Sequence, residues 1–332
     1  MSEDGNFVKI SGIGAYVPDD ILTNDDLSKM VDTSDEWIRN RTGIRERRIA
    51  PSGTSTSDLC CAAAVRAIED AGLETGDIDF ILVGTISPDM IFPATAAVVQ
   101  KKLGLDKCPC LDYSAACSGF HYGIQLARGL LASEKVNHIL LICGDKISSF
   151  VDWQDRATCV LFGDGAGAVV LSSTDNEEEN CVLDVMTGAS GKMYDILCVP
   201  AGGTSDPTSA ETLAARKHFI KMSGRDVFRE AVRTMSSCVD EILIRNGMSI
   251  DDIDYFVPHQ ANLRIIEAVG EHANIPSNKV CVTVDKYGNT CASSCIIAIK
   301  SLVESGHMKK GMKILSVSFG AGLTWGASLL RW

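Results

Sequence analysis

Residues 71–80 read AGLETGDIDF, and residues 246–255 read NGMSIDDIDY, 175 positions later. A chain that carries one supersecondary unit twice is constrained to fold as two related halves packed on each other. In both copies a helix-like stretch stops near a glycine, Gly72 or Gly247. An acidic turn then leads into an apolar strand, Phe80–Gly84 or Tyr255–Pro258. A second echo closes each half: FGDGAGAVVL at 162–171 and FGAGLTWGASLL at 319–330, each a Gly-rich turn before an apolar strand. The polar stretch STDNEEEN, 173–180, is the expected seam. The expected halves are therefore residues 1–175 and 176–332, a size ordinary for such units.

Strands are expected at Val8–Ile13, Phe80–Gly84, His138–Cys143, Ala168–Ser172, Asp254–Val257, Lys313–Ser318 and Gly326–Arg331. Helices are expected at Ser57–Ala71, Phe120–Ser133, Gly224–Asn246 and Ser294–Ser305. Such alternation implies a layered α/β architecture. HILLIC and KILSVSF are apolar almost throughout, as strands covered on both faces must be.

Composition narrows the class further. With 45% hydrophobic and 22% charged residues the chain is globular in character. No apolar run approaches the roughly 18 residues a membrane helix needs, and the acidic, polar start MSEDGNFVKI does not resemble a secretory signal. A net charge of −12 argues against non-specific nucleic-acid binding. The expected setting is thus cytoplasmic, with neither nucleic acid nor membrane as partner. The cysteines number 13 and fit neither a disulfide framework nor paired zinc spacing; the ordinary reading is reduced, buried small hydrophobes.

Three segments could carry chemistry. In LDYSAACSGF, 111–120, a strand-like start runs through small residues into a helical pattern, which sets Cys117 near a helix N-terminus. Unpaired N–H groups and the helix dipole favour a thiolate there, although a core cysteine is the ordinary alternative. His259, in VPHQAN, lies just beyond the second-half strand as Thr85 lies just beyond its own, where ligand sites of open α/β sheets gather. Asn289, in KYGNT, precedes small residues and a helix, making this segment the counterpart of the Cys117 segment. A turn or cap would explain Asn289 alone. Duplication brings it across a pseudo-two-fold axis from Cys117.

With these segments in view, the chain resembles the β-ketoacyl-acyl-carrier-protein synthases III, initiating condensing enzymes of type II fatty-acid synthesis. The resemblance spans nearly the whole chain. It rests on DEWIRNRTGIRERRI (35–49), AACSGF (115–120), DRATCVLFGDGAGA (155–168), VPHQANLRII (257–266), YGNTCASS (287–294) and FGAGLTWG (319–326). It implies the thiolase fold, two duplicated halves in α-β-α-β-α layers. It implies a Cys-His-Asn triad at Cys117, His259 and Asn289, with Cys117 as nucleophile and the backbone N–H groups of Cys117 and Ala321 as oxyanion hole. Many relatives carry glycine at the Ala321 position, and only its backbone is used. Thr33, Trp37, Arg41, Arg156, Phe228 and Asn262 are the implied CoA contacts, with the adenine stacked between Trp37 and Arg156. Phe92 of IFPATA is implied to close the acyl pocket of a partner subunit, hence a homodimer. The implied reaction joins a short acyl-CoA to malonyl-acyl-carrier protein, with loss of CO2 and no metal or redox cofactor.

Residues 216–233 hold six Lys or Arg against two Asp or Glu within an acidic chain, and Arg225, Arg229 and Arg233 share a helix face. A solvated helix face with internal ion pairs is the ordinary reading. The resemblance instead implies carrier-protein docking at Arg229 and Arg264. Two alternatives remain open: a related 3-oxoacyl synthase of a polyketide or signalling-molecule pathway, and a papain-like cysteine hydrolase, which also orders Cys, His and Asn. A non-catalytic subunit would have lost part of the triad.

Overall fold

Two mixed sheets with matching strand orders organise the computed structural model, which describes residues 7–132, 136–176 and 180–332. The first contains β1 (Phe7–Tyr16), β2 (Phe80–Gly84), β3 (Cys110–Tyr113), β4 (His138–Asp145) and β5 (Gly165–Thr174) in the order β1-β5-β4-β2-β3. The second contains β6 (Val182–Ala189), β7 (Tyr255–Pro258), β8 (Lys313–Gly320) and β9 (Thr324–Arg331) in the order β6-β9-β8-β7. Orientation repeats as well. Two antiparallel pairings are followed by a parallel one, β1-β5-β4-β2 in one sheet and β6-β9-β8-β7 in the other. In the position of β3 the second sheet has only a parallel bridge, Phe256 to Val280.

The helices are α1 (Asp35–Thr42), α2 (Thr56–Asp70), α3 (Thr95–Lys102), α4 (Gly119–Leu131), α5 (Gly224–Arg245), α6 (Leu263–His272) and α7 (Ser294–Glu304). Helix α4 contacts β2 and β4 on one side and β6 and β9 on the other, and α7 bridges β1 and β5 to β7. These two form the central layer. Helix α2 covers the far face of the first sheet and α5 that of the second, completing α-β-α-β-α. Three apolar cores follow the layers, one between the sheets around Phe120, Ile124, Ile296 and Ile299 and one under each outer layer, and a fourth gathers Ile38, Ile44, Val160 and Ile266 beside them. Between two helical layers β4 is buried from Ile139 to Asp145, and β8 from Ile314 to Gly320.

The expected strands and long helices lie where their patterns indicated, within one to three residues at most ends. Strand β6 was not read from its pattern. LDVMTGA mixes polar and apolar residues because only some of its positions face the core. The expected seam falls between β5 and β6, but its Glu177–Glu179 lie outside the described residues, as does Ser133, the expected end of α4. No helix among the described residues is long and apolar enough to cross a membrane.

Candidate active site

The two helices of the central layer begin with the same unusual turn. A short 3-10 turn, 116–118, precedes α4, and another, 291–293, precedes α7. Its first residue has positive φ in both copies, +46° at Ala116 and +54° at Cys291, a strain of roughly 1 kcal/mol each for side chains that are not glycine. The two turns pack against each other across the pseudo-two-fold axis. At residue level the partner of Cys117 is therefore Ala292. Asn289, expected opposite Cys117, sits two residues before the second strained turn.

Cys117 is buried at the N-terminal end of α4. Its N–H and that of Ala321 donate to no carbonyl among the described residues. Strand β8 delivers Ala321 by running its last residue, Gly320, against the Cys117 turn. A side chain at Gly320 would stand 2.7 Å from the Cys117 nitrogen, so this approach requires glycine.

His259 is the first residue after β7, anchored by its N–H on Val317 O at 2.8 Å. Its Nδ1 meets Ser294 Oγ at 2.7 Å. Ser294 Oγ also accepts the Gln260 N–H at 3.3 Å, which leaves its own proton for Nδ1. When Ser294 gives its proton to Nδ1, the ring proton sits on Nε2. Asn289 is held by main-chain bonds on both sides, its N–H to Leu161 O and its carbonyl to the Gly163 N–H. Its Oδ1 accepts the Cys291 N–H at 2.9 Å, which turns Nδ2, a donor at any pH, the other way.

Two cavities meet at Cys117. One, about 710 Å³ counting its open mouth, is lined by His259, Asn289, Phe228, Asn262, Met222 and Phe319 among others. The second, about 1110 Å³ on the same terms, lies on the Ala321 side and is walled by Ile86, Ile147, Phe150, Val199 and Ile220. Cys117, Asn289, Phe162 and Leu197 border both.

Burial pushes most thiols up, Cys143, Cys238 and Cys281 to about 12. Cys117 is held well below the usual thiol range. Its contact with the Cys291 thiol contributes most to this, and His259 adds to it, against the opposing effect of burial. The two sulfurs are 3.6 Å apart. Cys291 is correspondingly held up, by Cys117 first, then by burial and the Asp145 carboxylate. Asp145 is itself buried and raised to about 6 by desolvation. Its Oδ1 accepts from Thr85 Oγ1, the N–H of Ile86 and Ser87, and Ser87 Oγ, while Oδ2 has no hydrogen-bond partner.

Neither Cys291 nor Asp145 was singled out from the sequence. The signal available was the repeat itself, since Cys291 lies 175 residues after Ala116, the neighbour of Cys117.

The remaining expected residues spread outward from this centre. Trp37 on α1 carries Arg156 4.9 Å and Arg41 5.7 Å from its ring centre. The Arg156 guanidinium rests directly on the indole, tied to Asp32 O at 2.8 Å, with no gap for a planar group between them. Thr33, next along, has a buried, unpartnered Oγ1. Arg47, in the same motif as Trp37, bonds Leu22 O, Asn24 Oδ1 and Val160 O, pinning the loop that carries Arg156. The Asn262 side chain is engaged at both ends: Oδ1 caps α6 through the Arg264 N–H, and Nδ2 reaches Arg41 O. Arg264 is exposed and lies 5.3 Å over Phe228. Arg229 and Arg233 both pair with Glu230, and Arg229 also with Asp226, so much of the positive stripe on α5 is balanced within the helix. Phe92 is 82% exposed beside Ile91 at 86%.

Family models for the 3-oxoacyl-[acyl-carrier-protein] synthase III domain and its C-terminal domain match residues 111–191 and 243–332. The chain is 47% identical to the beta-ketoacyl-[acyl-carrier-protein] synthase III of Caldanaerobacter subterraneus over 97% of each chain. It is 46% identical to that of Nitratidesulfovibrio vulgaris over 97% of this chain and 98% of the relative. The chain belongs to the β-ketoacyl-acyl-carrier-protein synthase III family. Solved synthases III agree: that of Aquifex aeolicus superposes with a TM-score of 0.89 at 42% identity, covering 98% of this chain and 100% of the other. That of Pseudomonas aeruginosa gives 0.91 at 38%, covering 98% of each. A synthase III is a condensing acyltransferase on the thiolase fold, which sets aside the cysteine-hydrolase alternative. The priming β-ketosynthase of the R1128 polyketide pathway also shares the fold, at 32% identity and a TM-score of 0.89 over 98% of this chain and 96% of that one.

Proposed function

We propose that this chain catalyses decarboxylative condensation of a short acyl-CoA, acetyl-CoA by preference, with malonyl-acyl-carrier protein. The products are 3-ketoacyl-acyl-carrier protein, CoA and CO2. The observation that carries the reading is the lowered thiol of Cys117 at a junction of two cavities bordered by His259 and Asn289.

Cys117 thiolate attacks the thioester carbonyl, and the oxyanion takes the N–H groups of Cys117 and Ala321. Each such donor is worth about 2.7–4 kcal/mol of barrier. Collapse expels CoA and leaves acyl-Cys117. The malonyl arm then enters the cavity vacated by CoA. Loss of CO2 places charge on its thioester oxygen, where His259 Nε2–H and Asn289 Nδ2–H donate. The carbanion attacks acyl-Cys117, and the thiolate departs as leaving group. CO2 release supplies the carbanion, so the side chains need only stabilise charge.

The cavity lined by Phe228 and Asn262 suits the pantetheine arm, and the apolar one suits the acyl chain. Trp37, Arg41, Arg156 and Thr33 are the groups suited to the nucleotide end, an indole and two guanidinium groups offering faces to a base. Arg264, exposed and without an ion pair among the described residues, is the stronger docking group for an acidic carrier, with the partly balanced Arg229 beside it. The exposed Phe92 and Ile91 are the apolar tip offered to a second copy, whose acyl cavity Phe92 would close. The two repeated halves, 1–175 and 176–332, divide the work: the first supplies the nucleophile and the second His259 and Asn289.

Intact-mass and peptide spectra after exposure to a mixture of acyl-CoAs test the reading. A short acyl adduct on the Cys117 peptide, discharged by malonyl-acyl-carrier protein, supports it. An adduct elsewhere, or none, defeats it. A preference for long or branched acyl groups would favour a priming role outside straight-chain fatty-acid synthesis.

A further inference from the structure

Three other features stand out: the exposed Ile91–Phe92 tip, the basic face of α5, and the Cys117–Cys291 pair. The first two belong to the reading already given. The third does not, because condensation uses one sulfur and the site holds two.

The sulfurs are 3.6 Å apart, in van der Waals contact. They sit on the two symmetry-related turns that begin α4 and α7, which pack together across the axis. Both line the cavity on the Ala321 side, so whatever reaches Cys117 there also reaches Cys291. A disulfide needs about 2.05 Å between sulfurs. Side-chain rotation on two adjoining turns must therefore supply only about 1.5 Å of approach. Beside Cys291 stands Asp145, whose buried Oδ2 receives no N–H or O–H and whose carboxylate faces the Cys291 thiol, placed to take its proton.

We propose that Cys117 and Cys291 form a reversible dithiol–disulfide pair, a peroxide-reactive modification site inside the condensing centre. Cys117 thiolate attacks one oxygen of a hydroperoxide. The O–O bond breaks, Cys117–SOH forms, and the other oxygen leaves as alcohol, or water from hydrogen peroxide, after taking a proton. The Cys291 sulfur then attacks the sulfenic sulfur. The S–S bond forms and the S–O bond breaks. Hydroxide leaves as water with the Cys291 proton relayed through Asp145. Two thiols lose two electrons in all and the peroxide O–O bond gains them. A dithiol reductant restores the starting state by exchange. Cys291 thereby acts as resolving thiol, sparing Cys117 the irreversible sulfinic state.

The proposal rests on Cys117 being the reactive thiol of the proposed function, yet its readout is covalent and independent of condensation. The full-length protein is treated with hydrogen peroxide, then alkylated, digested without reductant and mapped. The expected result is a cross-linked pair of peptides containing Cys117 and Cys291, two hydrogens lighter than the reduced pair. Activity is lost and then recovered with dithiothreitol. Prior acylation by acetyl-CoA blocks the cross-link. In Cys291→Ser, peroxide drives Cys117 to sulfinic acid, and dithiothreitol restores little. Sulfenic or sulfinic Cys117 without the cross-link in the unaltered chain overturns the proposal, as does equal recovery in Cys291→Ser. No oxidation of Cys117 also overturns it. In that case acyl labelling of the same sample tells whether the nucleophile assignment fails too. Should Cys291→Ser fold poorly, the peptide map of the unaltered chain decides alone.

Discussion

The Oδ1 of Asn289 accepts the backbone N–H of Cys291 at 2.9 Å. That single bond orients the amide, and it ties the proposed donor of the second half-reaction to the strained turn facing Cys117. Asn289→Asp keeps the acceptor but replaces the donor with a negative oxygen. Decarboxylation of malonyl-acyl-carrier protein is expected to fall roughly 100- to 1000-fold, the usual effect of losing one oxyanion donor. Acylation by acetyl-CoA, followed by intact mass, is expected to fall much less. Equal losses in both steps would assign Asn289 a structural role.

The low position of the Cys117 thiol makes alkylation a direct probe. Iodoacetamide consumes thiolate, so its rate at Cys117 is expected to level off below the pH of about 8.5 at which a free thiol half-ionises. In Cys291→Ala the first of the stabilising contacts is gone, and the inflection is expected to move up. An unmoved profile would assign the shift to His259 and the helix terminus alone. For stability the sign is fixed. A group lowered in the folded state adds stability that is complete above its unfolded value and is lost as pH falls through the folded one.

Asp145 predicts the opposite slope. Burial raises its carboxyl from 3.8 to about 6, so between those values the folded state holds a proton that the unfolded state has released. Its contribution to stability is present below about pH 4 and is lost as pH rises toward 6. Asn at this position still accepts through Oδ1 and carries no charge. The melting temperature of Asp145→Asn minus that of the unaltered chain is therefore expected to grow as pH rises through this range. A difference independent of pH would refute the buried-carboxylate account.

Arg264→Glu reverses an exposed charge that lies over Phe228, a residue lining the cavity with His259 and Asn289. The apparent KM for malonyl-acyl-carrier protein is expected to rise about tenfold or more at low salt, with less change for acetyl-CoA, and the gap should narrow as salt screens the interaction. Arg229→Glu is expected to do less, because Asp226 and Glu230 already balance that arginine.

Much of this was legible in the sequence, for physical reasons. A repeated unit forces matching element ends together, so Cys117, His259 and Asn289 could be grouped before any coordinates. Fully buried strands such as β4 and β8 announce themselves through unbroken apolar runs. What stayed hidden depends on neighbours distant in sequence. The contact of Cys291 with Cys117 arises only when two turns meet. The raised Asp145 reflects its burial, which the donors at residues 85–87 only partly offset. A charge count on α5 allowed internal ion pairs but not which ones form, Glu230 with both Arg229 and Arg233. The capping bond of Asn262 and its bond to Arg41 likewise cannot be seen in a motif.

The junction at Cys117 gives the catalytic cycle a direction. On the proposed assignment, a tail lodged behind the sulfur stays put while the spent carrier backs out of the other cavity, which the next carrier then occupies. Free CoA and the extender substrate should consequently contest one and the same vacancy on the acylated enzyme. A longer primer should alter only the opening step.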